Sequence, residues 1–532
     1  MVSDAPEVIV GHGPLTAAIE RWKRAAPRSI GVWLETDGRE PRHRRDDYRV
    51  GELAVVGLAW QDHRAVLPQP DADALRRLAA WWTADPAPYL VFADAHDALF
   101  RWQRHAGEAF EPRRFGCIRT ATALLGEGRR SFRDLPSFET LAQRMLGCAL
   151  PESALGGPGP PPAVAARAEA LLALMESLTP RLRKRGLVPI HQLECQVLPA
   201  VVAMERAGMG VDGAAFQRIA DGWQAERRTT QDPERIARLD KLLSTYAYWP
   251  REFIRDGRIH PLLHPLATES GRFACSDPNL QQVPSEHTAP GLRNCFTPAA
   301  GHGLVIADYA QIELRVAAHL APCDALRGVF VEGRDPHRVT AATITGKPEA
   351  QVSARERQLA KAVNFGFLFG MGAHRFRSYA AASYGVELSD DEARRAKEAF
   401  FATYPGIARW HRRVANLERA GQSVVVRTVL GRRKRFPAGK FSFNAALNIP
   451  VQGTAAEGFK RAMVALHEHL PRLGARGVLC VHDEYLAEAP SPQLDEARAC
   501  VEQHMREAMA GVVSSVPIVV AAHVARSWAE KG

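Results

Sequence analysis

The sequence predicts a multidomain chain of mixed α/β and α+β class. Three observations carry that prediction. The chain has 532 residues, enough for roughly three domains. A Pro/Gly-rich break occupies residues 156–162 (GGPGPPP). Strand and helix signals mix before that break, whereas a run of helices follows it.

Residues 29–35 (SIGVWLE) and 53–60 (LAVVGLAW) are short apolar, β-branched runs and read as strands. Residues 74–82 (ALRRLAAWW) read as a helix. The Pro and Gly content of 156–162 forbids helix and strand alike. Residues 163–185 then carry Leu171, Leu174, Met175, Leu178 and Leu182 at helical spacing. A second helix runs through Leu193, Val197, Leu198, Val201 and Met204 and ends near Gly208. Phe216, Ile219, Ala220 and Trp223 make one amphipathic helix, and Asp232-Pro233 caps the start of another. Leu304, Val305 and Ile306 form an apolar strand that ends on Asp308. Residues 478–481 (VLCV) are a second β-type run, and 486–488 return as the other arm of a hairpin around Asp483. Between them, Ser353 and Glu356 spell a capping box that opens a helix. No internal repeat is visible.

With 46% apolar and 24% charged residues the chain is ordinary for a soluble globular protein. A net charge of +10 and a pI near 9.3 favour a polyanionic partner. Only ten of the 69 basic residues are Lys, however, so a GC-rich genome explains much of the Arg excess. Charge alone does not decide. The eight cysteines are scattered without a C-x-x-C, which suggests neither a zinc ribbon nor a disulfide framework, but small buried side chains in a reducing compartment. No 18-residue apolar run occurs, and the start MVSDAPE lacks basic and apolar leader regions. The expectation is a cytoplasmic protein without membrane contact.

Asp308 and Asp483 point to chemistry. Two carboxylates presented by separate strands suit a pair of hard divalent ions, which roughly 3.5–4 Å apart can clamp attacking and leaving oxygens. Taken singly, an Asp at a strand end is a turn former. The third motif lifts the pair above that reading. Arg357, Lys361 and Phe365 are each four apart and share one helix face, which puts two cations where a triphosphate can lie. Lys361 can also protonate a departing pyrophosphate. Phe365 and Phe369 supply flat apolar surface for a base and sugar. Without the flanking Asp motifs the same helix would read as an amphipathic element with a solvated basic stripe.

In this order, residues 304–315 (LVIADYAQIELR), 357–370 (RQLAKAVNFGFLFG) and 481–484 (VHDE) resemble the active site of family A DNA polymerases, the bacterial DNA polymerase I type. The resemblance covers nearly everything after His191, and residues 1–190 more loosely. It implies an RNase H-like, 3′–5′ exonuclease-related fold at 1–190 followed by a right-hand polymerase. The leading helix and a shortened thumb fall at 191–256, the palm at 257–335 and 456–532, and the fingers at 336–455. It further implies two Mg2+ ions, replaceable by Mn2+, on Asp308, Asp483 and the backbone of Tyr309, with Glu484 and Lys361 in catalytic roles. Arg357, Lys361, Phe365, Phe369, Gln311, Glu313 and His337 are carried over as nucleotide-binding. Glu313 matches the family's steric gate, a bulky carboxylate beneath C2′ that a ribose hydroxyl would strike. Arg272, Asn279 and Gln281 in the loop 268–284 (TESGRFACSDPNLQQVP), Asn448, Gln452 and His482 are implied to face duplex DNA. Arg432, in the basic segment 431–435 (GRRKR), is expected to touch the template. The chain departs from the pattern at Phe369, where many members have Tyr, and at Asn444, where the family often has Arg.

The N-terminal part departs further. An active exonuclease of this type needs Asp-x-Glu, a second Asp, and a third within Tyr-x-x-x-Asp. Trp33 stands at the first Asp position, before Glu35, and Asp97 keeps the second. The third falls at 163–167, where Arg167 stands and no carboxylate occurs. The implied domain is structural, although Glu35 and Asp37 share a strand face. Only 28 residues separate Asp212 from Lys241, where the family usually carries a several-fold longer insertion. The expected protein is thus a monomeric, nucleoid-associated DNA polymerase acting on primer–template DNA with dNTPs, without proofreading. It would be of low processivity unless a processivity or recruiting protein replaces the missing grip. Repair, gap filling and mobile-element replication all suit it. A ribonucleotide-using or priming polymerase is the alternative that Glu313 disfavours. A retired DNA-binding scaffold is the one that Asp308, Lys361 and Asp483 disfavour.

Overall fold

The computed structural model describes residues 5–37, 51–107, 110–128, 134–150 and 158–530. The N-terminal part is built on a six-stranded sheet of order β1-β4-β3-β2-β5-β6, comprising β1 (Glu7–Val8), β2 (Ser29–Thr36), β3 (Leu53–Trp60), β4 (His63–Pro68), β5 (Tyr89–Phe92) and β6 (Phe115–Cys117). Strand alternation divides the side chains between two layers. Ile30 and Val32 face a layer that includes the Trp-rich helices Ala72–Thr83 and Ala95–Ala106, whereas Trp33 faces the helix Pro161–Arg185. That helix lies almost on the strand backbone. A Cβ at Gly57 would meet Val164 at 2.6 Å, and one at Gly31 would strike the carbonyl of Ala168. Both positions therefore need glycine, and the approach carries Arg167 onto β2.

Two expectations change here. Pro161 and Pro162 do not belong to a break but form the first turn of this helix. Proline is tolerated there because first-turn N–H groups have no intrahelical acceptor. Gly156 and Gly157 of the expected break, and residues 1–4, lie outside the described residues. The expected helix through 193–204 is two, Val188–Gln196 and Leu198–Ala207, with Pro199 in the first turn of the second. It does stop at Gly208, whose φ of +61° suits glycine.

The remainder is organised on a four-stranded antiparallel sheet, in the order Arg476–Val481, Glu484–Pro490, His302–Tyr309, Val520–Ala525. Its helices include Ile312–Leu320, Pro336–Thr345, Ala354–Leu368 and the long Phe443–His469. One apolar core runs from Val197 to Trp528. Three of the expected borders fall within these elements or their turns. Position 190/191 lies inside Val188–Gln196, 256/257 in the turn between Ile254–Arg255 and Arg258–Ile259, and 455/456 inside Phe443–His469. Only 335/336 coincides with an element start, where Asp335 caps Pro336–Thr345.

The segment after Gly208 forms two helices, Gly213–Thr229 and Pro233–Tyr246, capped by Asp212 and Asp232. Phe216, Ala220 and Trp223 pack with Leu239, Leu242 and Tyr246 in the common core. Ion pairs Arg227–Asp240 at 2.6 Å and Arg235–Glu226 at 2.5 Å tie the outer faces. Among the described residues no helix is long and apolar enough to cross a membrane.

Candidate active site

Asp308 sits at the end of its strand and pairs in register with Glu484 on the neighbouring strand, so Asp483 follows immediately across the ladder. The turn Val481-His482-Asp483-Glu484 needs His482 at φ +59°, and the turn after Tyr309 needs Gln311 at φ +56°. Left-handed backbone costs a non-glycine residue about 1–2 kcal/mol. Both strained turns flank the carboxylates, where backbone strain commonly marks function. Burial, and then the charge on Asp308, push the Asp483 carboxyl well above its ordinary range. Two carboxylates so placed repel until a cation joins them, which fits divalent metal binding. Among the described residues no three His, Cys, Asp or Glu side chains gather as a metal cage. Further oxygens would have to come from backbone, substrate or water. Glu484 has a different setting: it is 4% exposed, and its carboxylate accepts a hydrogen bond from Trp528 Nε1 at 2.7 Å.

Across a cavity of ≈ 420 Å³ stands the helix Ala354–Leu368. Its capping box is present in both directions, Ser353 to the N–H of Glu356 and Glu356 back to that of Ser353. Ala360, Ala362, Val363 and Phe367 are buried, which turns Arg357, Lys361 and Phe365 to the cavity. Arg357 Nε holds Asp335 Oδ2 at 2.6 Å. No ion pair holds Lys361 among the described residues. His337 lies in the same wall, its Nδ1 2.9 Å from Asn364 Nδ2. Burial, assisted by Arg357 and Lys361 and opposed by Asp335, pushes the imidazole down to about 4, so it is neutral at pH 7.

Arg272, Gln311, Glu313 and His482 line the cavity with Asp483. Glu313 is not a solvated charge. Arg272 Nη2 meets Glu313 Oε1 at 2.5 Å, and Gln452 Nε2 reaches the same oxygen at 3.4 Å. Asn279 caps its own turn through the N–H of Gln281, and Gln281 Nε2 donates to the carbonyl of Cys480 at 3.3 Å. These bonds pin the loop to the strand leading to Asp483. Asn448 shares the long helix with Gln452.

Not every expected residue is placed there. Phe369 closes the helix instead of lining the cavity; its carbonyl accepts from Asn444 Nδ2 at 2.6 Å. Arg432 is a correction. It is 6% exposed and pairs with buried Glu194, so its guanidinium is not available to template. Arg432 lies at the turn of a hairpin whose arms are Val424–Arg427 and Arg433–Phe436. Three groups escaped the sequence reading: Asp335 as partner of Arg357, Asn364 against His337, and Asn444 at the helix end. Asn364 carried a signal, being a polar residue on the apolar side of its helix.

In the N-terminal domain, Arg167 is fully buried and comes within 3.7 Å of Glu35 and 3.8 Å of Glu139. Its guanidinium lies 5.6 Å from the Trp33 ring, and Trp33 Nε1 donates to Glu35 Oε1 at 2.8 Å. Arg167 and Trp33 therefore converge on the Glu35 carboxylate. Asp97 pairs locally with Arg101 at 2.8 Å.

Paired carboxylates at adjoining strand ends, faced by an Arg/Lys/Phe helix, have the geometry of a nucleotidyl-transfer site. The sequence model of DNA polymerase family A matches residues 212–530, and the chain belongs to that family. It is similar to DNA polymerase I of Aquifex aeolicus, at 34% identity over 280 residues, 52% of this chain and 47% of that protein. Against the thermostable DNA polymerase I of Thermus filiformis it is 39% identical over 304 residues, 55% of this chain and 35% of that protein. The matched stretches thus span less than half the length of these curated relatives. The fold is that of the POL domain of Pol1 from M. smegmatis, solved in complex with DNA primer-template and dNTP. The TM-score is 0.80 at 24% identity, over 98% of this chain and 99% of that one.

Proposed function

We propose that the chain is a template-directed DNA polymerase that adds deoxynucleotides to a primer 3′-OH. The observation that carries this reading is the single cavity onto which Asp483, Lys361, Arg357, Phe365 and Glu313 converge, beside Asp308. Mg2+ on Asp308, Asp483 and the Tyr309 carbonyl, with Mn2+ able to substitute, would activate the primer hydroxyl and neutralise the leaving pyrophosphate. Arg357 exchanges Asp335 for the triphosphate, a bidentate acceptor that a guanidinium fits well. Lys361 lies along the same face and donates a proton to the departing pyrophosphate. Neutral His337 offers a hydrogen bond to a phosphate oxygen, and Phe365 stacks on the base. Glu313, fixed from two sides, bars a 2′-OH. Arg272, Gln281, Asn279, Asn448, Gln452 and His482 contact the primer–template duplex. Arg167 and Trp33 fill the would-be exonuclease site, so the enzyme does not proofread. Glu484, directly opposite Asp308 on the ladder, would act beside it in catalysis.

Extension of a primed template with dNTPs and Mg2+ tests the reading. Asp308→Ala and Asp483→Ala should each lower the rate by several orders of magnitude while leaving the fold intact. Near-normal turnover by either folded variant would sink the two-carboxylate assignment. Tight DNA binding by wild type without any extension would favour a retired scaffold.

A further inference from the structure

The basic segment 431–435 faces the N-terminal domain. Glu127, 1% exposed at the end of Ile118–Leu125, takes Arg433 Nε at 2.6 Å on one carboxylate oxygen and Arg435 on the other. Its carbonyl accepts the backbone N–H of Arg435 at 3.0 Å. Lys434 Nζ donates to the carbonyl of Gly128 at 2.7 Å. Burial works against the charged form of Glu127, yet Arg435 and Arg433 outweigh it and hold the carboxyl below its ordinary value. One short N-terminal segment thus supplies a shared carboxylate to Arg433 and Arg435 and a carbonyl to Lys434.

The same side chains reach the other way. Lys434 also pairs with Glu269, at the head of the loop that bears Arg272. The Arg432 guanidinium lies against Gly271, φ +86°, where any Cβ would collide with it. Arg432 is itself fixed by Glu194, which Lys460 Nζ holds at 2.7 and 2.8 Å while donating to the carbonyl of Pro265 at 2.8 Å. Within the loop, Thr268 Oγ1 donates to the carbonyl of Arg272 at 2.7 Å. Glu127, the hairpin and Arg272 are therefore linked through ion pairs, the close approach of Arg432 to Gly271 and the Thr268 hydrogen bond, a series that ends on Glu313 in the nucleotide cavity.

We propose that the N-terminal domain serves polymerisation as a positioning element, with Glu127 and Lys434 fixing, through the hairpin Val424–Arg427/Arg433–Phe436, the loop that presents Arg272. Glu127, Lys434 and Arg432 are positioning residues. They touch neither nucleotide nor primer and act by limiting where Arg272 can stand. The inference rests on the proposed polymerase reading for its activity readout and on the contacts above for its geometry.

A double-mutant cycle tests it, using Glu127→Gln, Arg272→Ala and the combination in the full chain. Both the KM for primed template in extension and the Kd of a labelled primed template by anisotropy are measured. Glu127→Gln should raise both by about fivefold or more with kcat nearly unchanged, within the coupling range of neighbouring groups. In the Arg272→Ala background the same substitution should add little. Lys434→Met, which keeps the apolar stem, should behave like Glu127→Gln and carries the test if the latter does not fold. Fully additive effects, or a lowered thermal midpoint with KM and Kd unchanged, would overturn the proposal and leave the contact merely structural. Wild type that binds primed template without extending it would refute the polymerase reading instead, and the Kd cycle alone would then decide the positioning role.

Discussion

In the proposed reading, Glu313 is where one side chain decides most about substrate choice. Its carboxylate is oriented before any nucleotide arrives, because Arg272 and Gln452 hold one oxygen between them. An oriented group excludes by bulk at little entropic cost, whereas a mobile one would swing aside. Glu313→Ala should therefore raise the efficiency of NTP use relative to dNTP by about 10–200-fold, roughly 1–3 kcal/mol of discrimination. Glu313→Gln keeps the bulk and should retain most of the selectivity. Competitive single-nucleotide insertion with dNTP and NTP gives the ratio. Wild type that uses both equally would remove Glu313 as a gate and return the priming reading to favour. Residue identities of this kind were legible in sequence because the motifs carry them in fixed spacing. Partners were not. Nothing local announces that Arg357 rests on Asp335, 22 positions earlier, or that Asn444 takes the carbonyl of Phe369.

Elements were read more evenly than partners, and the failures have one physical origin. The strands β2 and β3, the hairpin at Asp483 and the capping box at Ser353 all express local preferences that packing reinforces. The Pro-rich break misled because Pro, disfavoured in a helix interior, suits its first turn. Arg432 misled because a run of cations has the same appearance whether its counter-charges are phosphates or Glu127 and Glu194. The helix Pro161–Arg185 shows what a long-range contact can settle. It sets the Arg167 guanidinium beside the Glu35 carboxylate, which in the proposed reading leaves no place for a metal ion there. A mismatched primer incubated with Mg2+ or Mn2+ and no dNTP should therefore stay full length. Arg167→Ala should remove the buried cation beside Glu35 and open a cavity, lowering stability on the order of 3 kcal/mol. Shortening of the primer by wild type that Asp97→Ala abolishes would refute the first expectation. An unchanged unfolding midpoint for Arg167→Ala would refute the second.

Across the whole molecule, the polymerase signature was legible, and one apolar core runs beneath it from Val197 to Trp528. Borders drawn from motifs mark functions, whereas packing follows area. The same scale governs how the protein holds DNA. The helices Gly213–Thr229 and Pro233–Tyr246 have 17 and 14 residues, which at about 1.5 Å per residue gives arms near 25 and 21 Å. A helical turn of duplex DNA is roughly 34 Å, so neither arm can follow the product around. Their inner faces lie in the core, and Arg227–Asp240 and Arg235–Glu226 join them on the outside. Those arginines are spent on carboxylates and release few counterions from DNA, which weakens the salt-dependent part of binding. We therefore expect short products, tens of nucleotides per encounter or fewer, with processivity falling as salt rises. Extension of a long primed template under single-hit conditions with a heparin trap measures it directly. Products of hundreds of nucleotides from the purified chain would show that the two short helices grip well enough alone. Short products that lengthen only when a second protein is added would place the missing grip on that partner.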